Sequence, residues 1–253
     1  MDYVLFALAT VILAIQALVF HKVRKIHLAS YRLMNAANTI DRIEKETLTL
    51  YRQLQSYDCL MRLIQPARPL PVLRGYAASP DFLLAIARHA LLEKPSAILE
   101  CSSGSSTIVL ARCCQLNGGG HVWSLEHDEH YAGLTRARLA EQGLDEWATI
   151  IHAPLTTSQR TEHPWYEIGD LAAPGSGFDM LVIDGPPLRI APQVRYPALP
   201  KLDPLLAKGA SVFLDDAGRA GEKEILRRWA AEFPQYAHTP LDLEKGGACL
   251  VKS

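Results

Sequence analysis

With 253 residues and 28.0 kDa, the chain has room for one domain with a full hydrophobic core plus an accessory segment, and two large domains do not fit. Hydrophobic residues at 49% and charged residues at 21% exclude wholesale disorder and a polytopic membrane protein. The 26 Lys+Arg against 27 Asp+Glu leave none of the basic excess that non-specific nucleic-acid contact requires, so no nucleic-acid partner is expected.

Tyr3 to Phe20 is apolar except for Thr10 and Gln16. About 18 helical residues at ~1.5 Å each nearly match a ~30 Å hydrocarbon core, so residues 1–21 read as a single membrane span. A cleaved signal peptide needs a positive n-region and a small-residue cleavage site; this chain opens Met1-Asp2 and runs into His21, Lys22, Arg24 and Lys25. A helix packed on the outside of a core would carry a polar stripe, and none interrupts the run. The cations follow the span and none precedes it, which places the N-terminus outside and the rest of the chain in the cytoplasm. The cysteines agree: Cys59, Cys101, Cys113, Cys114 and Cys249 are odd in number, contain no C-x-x-C pair and read as reduced thiols.

Beyond the span, Ile26, Ala29, Leu33, Ala36, Ile40, Ile43, Thr47, Leu50, Leu54, Tyr57, Met61 and Ile64 recur at alternating spacings of three and four. This heptad seam predicts a helical stalk over 22–65 that self-associates through residues 26–64 as a parallel coiled coil; packing of the seam against the globular part is the alternative. Pro66, Pro69, Pro71 and Gly75 cannot continue the helix, so residues 66–78 read as a semi-rigid linker and the globular domain as 79–253.

Ser79-Pro80-Asp81 predicts a helix start, with Ser79 as N-cap. Short apolar runs then alternate with helical patterns: Ala97 to Cys101, Val122 to Leu125, Thr149 to His152, Asp179 to Ile183 and Ser211 to Leu214. That rhythm predicts an α/β fold with a mostly parallel sheet covered on both faces. Ala237 to Leu243 and Ala248 to Lys252, joined by Glu244-Lys245-Gly246-Gly247, predict an antiparallel C-terminal hairpin. The long loop Leu155 to Gly177, with His163-Pro164-Trp165-Tyr166, is of a length that suits a lid or a partner contact.

Ligands of such sheets bind outside the carboxyl ends of the strands. The first of these loops, Glu100-Cys101-Ser102-Ser103-Gly104-Ser105-Ser106-Thr107, opens into a helix whose N–H groups can meet a ligand. It is not G-x-G-x-x-G, which argues against a nicotinamide or flavin dinucleotide. About 25 residues on, the second strand ends in Glu126, an acid placed to accept two ribose hydroxyls; a surface carboxylate capping the next helix is the plainer reading. Asp184 ends the fourth strand, and Asp215 and Asp216 the fifth. Three carboxylates converging there repel one another unless something positive joins them. Among the cysteines and His121 the spacing for a zinc site is absent.

The ordered set Glu100 to Thr107, Ser124-Leu125-Glu126 with His127-Asp128, Phe178 to Pro187, Arg195-Tyr196-Pro197 and Phe213-Leu214-Asp215-Asp216 resembles the class I S-adenosylmethionine-dependent methyltransferases, in their small bacterial group with an E-x-G-x-G-x-S-T-like motif. The resemblance covers Ser79 to the C-terminus. It implies a Rossmann-like, seven-stranded sheet with a reversed final strand, and S-adenosylmethionine as cofactor. Glu100, Ser102 and Gly104 would border its methionine part, Glu126 and His127 its ribose, and Asp184 would touch it as well. Two positions depart from the pattern: Ser102 stands at the first motif glycine, and Ala153-Pro154 stands where many relatives place an acidic adenine contact. Asp184, Asp215 and Asp216 are also similar to the acids with which catechol-type O-methyltransferases hold a divalent cation. That similarity implies catalytic carboxylates and a Mg2+ site, the alternative being cofactor contact and helix capping. Arg189, Arg195 and Tyr196 follow the fourth strand and are the expected acceptor-binding residues, with arginine suited to a carboxylate or phosphate; surface cations and a packing tyrosine are the alternative. The function expected is therefore a membrane-anchored methyltransferase with an unknown acceptor. A non-catalytic membrane-anchored scaffold and an aminopropyl transferase-like enzyme are the alternatives.

Overall fold

The computed structural model describes residues 2–73, 77–157, 163–169 and 171–253. Two compact units divide after Arg52.

The first unit is helical throughout, formed by the greater part of helix α1 (Asp2–Ile64). No glycine or proline occurs in its 63 residues, so nothing breaks the backbone ladder. Its N-terminal part is long and apolar enough to cross a membrane, with a window of mean hydropathy 2.5 and no residue of that window buried. Thr10, the polar interruption, turns its hydroxyl onto the carbonyl of Phe6 at 2.9 Å and so meets its own hydrogen-bonding need within the helix.

The second unit begins at Gln53, where the sequence reading sets the boundary at Ser79. The last turns of α1 bury Gln53, Leu60 and Ile64 in this unit, and the Arg112 guanidinium caps the end of the helix by donating to the carbonyls of Ile64 (2.8 Å) and Gln65 (3.0 Å). The proline-rich segment is strapped down rather than free. The Gln142 side chain pairs with both the N–H (2.9 Å) and the carbonyl (2.8 Å) of Arg68, and Leu70 is buried. Residues 74–76 of the expected linker lie outside the described residues.

Helix α2 (Pro80–Glu93) starts where predicted, yet the Ser79 hydroxyl makes no capping bond; Gln53 of α1 accepts the N–H of Asp81 at 3.2 Å instead. The chain then alternates through β1 (Ala97–Cys101), α3 (Ser105–Asn117), β2 (His121–Glu126), α4 (Glu129–Gln142) and β3 (Ala148–His152). A two-stranded insertion follows, β4 (Leu155–Thr156) and β5 (Trp165–Tyr166), then β6 (Phe178–Ile183), α5 (Ala198–Leu202), β7 (Leu206–Asp215), α6 (Ala220–Glu232), β8 (Tyr236–Leu241) and β9 (Gly247–Lys252).

Seven strands form one sheet in the order β3-β2-β1-β6-β7-β9-β8. The pairs among β3, β2, β1, β6 and β7 are parallel, while the last strand, β9, enters between β7 and β8 and runs antiparallel to both. This is the Rossmann-like sheet with a reversed final strand, and the C-terminal hairpin is present. Central strands buried on both faces explain the near-continuous apolar runs of the sequence. One apolar layer joins α2, α3 and the end of α1 to one sheet face; the other gathers α5, α6, Trp165 and Tyr166 on the opposite face. The described part of the loop expected as a lid is thus partly core, with Trp165 and Tyr166 both buried; residues 158–162 and 170 lie outside the described residues.

Candidate functional site

The order reverses beside β1: the chain runs from β1 outward to β3, then returns to β6 on the other side. That reversal opens a crevice at the carboxyl ends of β1 and β6. Two cavities of about 480 and 420 Å³ occupy it, with Ser102, Ser103, Tyr131 and Asp184 lining both.

The floor is the loop after β1. Ser102 is held by its N–H on the Leu125 carbonyl (2.8 Å) and by its carbonyl under the Ser124 hydroxyl (3.0 Å). It adopts φ +88°, a backbone that suits glycine. The residue that departs from the motif thus keeps the glycine conformation. Gly185, after β6, approaches so closely that a Cβ there would stand 2.6 Å from both Ser102 Cβ and the Tyr166 hydroxyl oxygen, so only glycine fits. Ser105 and Ser106 open α3 against the 480 Å³ cavity and point the first turn of that helix at it.

Glu100 lies beneath this loop, fully buried, and its Oε2 accepts from the Thr107 hydroxyl at 2.5 Å. Thr107 in turn accepts the Gly104 N–H at 3.0 Å, so Glu100 shapes the loop through Thr107. Burial pushes its carboxyl up to about 7, against the Thr107 hydrogen bond and the neighbouring Ser106 and Ser124 hydroxyls.

Glu126 closes β2. It is 2% exposed, and the helix after it is capped by Asp128, whose carboxylate accepts the His130 N–H at 2.9 Å; Glu126 is neither a surface acid nor the cap. Its Oε2 accepts from the N–H (3.0 Å) and hydroxyl (3.1 Å) of Ser103, and its Oε1 from the Asp128 N–H (3.0 Å), with His127 Nδ1 at 2.9 Å. Burial alone raises this carboxyl, but the neighbouring His127 ring and the Ser103 and Asp128 N–H groups outweigh it and hold it below the usual range. The Ser103 hydroxyl has Thr135 Oγ1 at 3.1 Å as a second partner, which lets it yield to an incoming hydroxyl.

At the ends of β6 and β7, ligand atoms of Asp184, Asp215 and Asp216 lie within 4.8 Å of one another, the acidic cluster the sequence places there. Burial and the neighbouring Asp215 push Asp184 well above the usual range, with Arg195 pulling back; burial and Asp216 raise Asp215 to about 6. Neither acid of β7 caps the next helix, whose N-cap is Arg219.

Of the residues expected to bind the acceptor, Arg189 is exposed and lines the 420 Å³ cavity, and Arg195 lines it from within the acidic cluster at 3% exposure. Tyr196 turns away: its hydroxyl donates to Glu232 at 2.5 Å and Arg228 lies 3.6 Å over its ring. Tyr131, Arg219 and Lys245 belong to the cavity wall although the sequence reading assigns them no role there. Arg219 has a local signal, three residues after Asp216. Lys245 has none, because the turn between β8 and β9 delivers it: Ala217 and Gly218 donate their N–H groups to the carbonyls of Gly246 (3.1 Å) and Lys245 (2.9 Å).

Residues 100–217 match the profile of a methyltransferase-domain family. The fold is a methyltransferase fold. An O-methyltransferase from Bacillus cereus in complex with SAH superposes with a TM-score of 0.54 at 18% identity, over 79% of this chain and 91% of that one. SAH-bound methyltransferase PaMTH1 of Podospora anserina gives 0.57 at 14% identity, over 83% and 95%. The O-methyltransferase TomG from Streptomyces achromogenes, involved in tomaymycin synthesis and in complex with SAM, gives 0.52 at 17%, over 82% and 96%. No curated protein sequence matches the chain.

Proposed function

We propose that the chain is an S-adenosylmethionine-dependent methyltransferase, carried on a membrane by the N-terminal part of α1. The observation that carries this reading is Glu126, a buried carboxylate held ionised at the end of β2, on the wall of a cavity floored by Ser102 and Ser103. A ligand with a vicinal diol and a small-residue requirement on one side fits it, and the chemistry of neighbouring groups fits the rest of such a ligand. The first turn of α3, at Ser105 and Ser106, suits the methionine carboxylate. Gly104 follows Ser102 and Ser103 in the same loop, beside the expected methionine, and Asp184 lies opposite on the wall common to both cavities. His127 and Tyr131 flank Glu126 and offer flat surfaces to the adenosine moiety.

When bound, S-adenosylmethionine supplies the activated methyl group. This chain contributes position: the loop and Glu126 would hold one reactant, and the part of the 420 Å³ cavity lined by Pro187, Leu188 and Arg189 would receive the other. Arg189 on the rim suits an acceptor with a carboxylate or phosphate. The cations that follow the apolar stretch support a cytoplasmic catalytic unit, and a membrane site favours acceptors that are themselves membrane-linked. The built cavity beside a buried acid favours an enzyme over a scaffold.

The test uses S-adenosylmethionine labelled in its methyl group, incubated with the full chain in detergent and a membrane extract as acceptor source. Label in the extract with release of S-adenosylhomocysteine is expected. Release of methylthioadenosine when decarboxylated S-adenosylmethionine, the donor that carries an aminopropyl group, is supplied instead, with no S-adenosylhomocysteine from S-adenosylmethionine, would replace methyl transfer by aminopropyl transfer.

A further inference from the structure

The acids at the ends of β6 and β7 already enclose a buried cation. Arg195, 3% exposed, reaches into them so that Nη2 lies 3.1 Å from Asp216 Oδ2 and 3.4 Å from Asp184 Oδ1. The same guanidinium donates to the backbone carbonyls of Asp184 (2.5 Å), Asp215 (3.0 Å) and Pro186 (3.4 Å). Arg219 pairs with Asp216 at 2.8 Å, and Lys245 lines the same cavity. Asp184 and Asp216 are thus paired with arginine before any ligand arrives, with Glu222 at 4.0 Å from Arg219 as a further acid.

A hard divalent ion suits carboxylate donors, and Asp215 Oδ2 and Asp216 Oδ1 are buried without a hydrogen-bond partner among the described residues. The space and the charge do not suit it. Mg2+ needs oxygens at about 2.0–2.1 Å in near-octahedral array, and Arg195 Nη2 already bridges Asp184 and Asp216, two of the three acids such an ion would have to share. Two added charges beside a buried arginine would be strongly repelled, since low-dielectric surroundings screen little. A planar fork that ends on carboxylates and carbonyls, by contrast, fits Arg195 as it lies.

We infer that Arg195 is the resident cation of this site, standing where the resemblance implies a divalent metal, and that the site operates without one. Arg195 is then a positioning residue: it ties the end of β6 to the end of β7 and fixes Asp184 on the cavity wall. The inference stands on this cluster alone and survives whether or not the ligand proves to be S-adenosylmethionine. For the methyltransferase reading it adds that the acceptor needs no chelating pair of oxygens.

The experiment is Mn2+ binding by the full chain in detergent, followed by the loss of the free-ion electron paramagnetic resonance signal, with thermal unfolding in chelator and in millimolar Mg2+ alongside. The parent is expected to show no saturable Mn2+ binding and an unfolding midpoint that neither condition moves. Arg195→Gln, which vacates the position and keeps the acids, should bind Mn2+ at least roughly tenfold more tightly than the parent. Arg195→Lys, which keeps the charge, should not, and this variant keeps the comparison usable if the glutamine variant does not fold. Stoichiometric Mn2+ binding by the parent that disappears in Asp216→Asn would overturn the inference, as would an Arg195→Gln protein that folds and binds Mn2+ no better than the parent.

Discussion

Glu100 and Glu126 end neighbouring strands, both are buried, and their carboxyls move in opposite directions, because only Glu126 collects enough donors to offset its burial. The difference separates their work: Glu126 stays ionised for a ligand, while Glu100 underpins the loop. Since the folded-state value of Glu100 lies at about 7, above its ordinary 4.5, its contribution to stability is present below about 4.5 and is lost as pH rises through 7. The unfolding free energy of the parent relative to Glu100→Gln should therefore fall by about 3 kcal/mol between pH 4.5 and 7.5, as measured by denaturant titration across pH; a flat difference would contradict the burial argument. At Ser102 the positive φ costs roughly 1 kcal/mol in a residue with a Cβ, so Ser102→Gly should raise the unfolding midpoint by about 3 °C. The acids at strand ends were legible because a strand end is a local feature of sequence. Tyr131 and Lys245 were not, since nothing in their own neighbourhoods announces a cavity that distant elements assemble.

At the scale of elements, periodicity located every strand of the main sheet and the C-terminal hairpin, because central strands buried on both faces carry little but apolar residues. Capping is less legible: Ser79 sits at the N-cap, but the acceptor for the α2 terminus comes from Gln53, which lies 28 residues away and has no signature. The turn between β8 and β9 has a role beyond joining two strands. Gly246, at φ +71°, packs so tightly that a Cβ would stand 2.4 Å from the Gly218 nitrogen. Gly246→Ala should cost at least roughly 2 kcal/mol in a denaturant titration and withdraw Lys245 from the acids it faces. An unchanged midpoint would mean that the turn is free to shift.

At the scale of the molecule, the long helix is legible in the sequence, but the residue at which its burial in the second unit begins is not. From Gln53 onward the residues that are buried, Gln53, Leu60 and Ile64, lie along a stripe that shares only Ile64 with the seam, so a spacing pattern alone reads through the boundary. Starting the chain at Ser79 would remove the burial of Leu60 and Ile64, about 2 kcal/mol each, and uncover their seats on the core. A chain starting at Gln53 is expected to unfold at a higher denaturant concentration than one starting at Ser79. If the seam drives self-association, sedimentation will find the chain from Gln53 as a monomer and the full chain in detergent as an oligomer; the same oligomer from both would move assembly to the globular unit.

The account rests most heavily on a cofactor seated between the Ser102–Gly104 loop and Glu126. Titration calorimetry of the full chain in detergent with S-adenosylmethionine and S-adenosylhomocysteine, beside Glu126→Ala, tests it directly. Saturable binding that weakens by roughly 100-fold in the variant is predicted, as expected for two hydrogen bonds to a charged group. Binding of equal strength in both proteins, or none in a parent whose fold is intact, would contradict it.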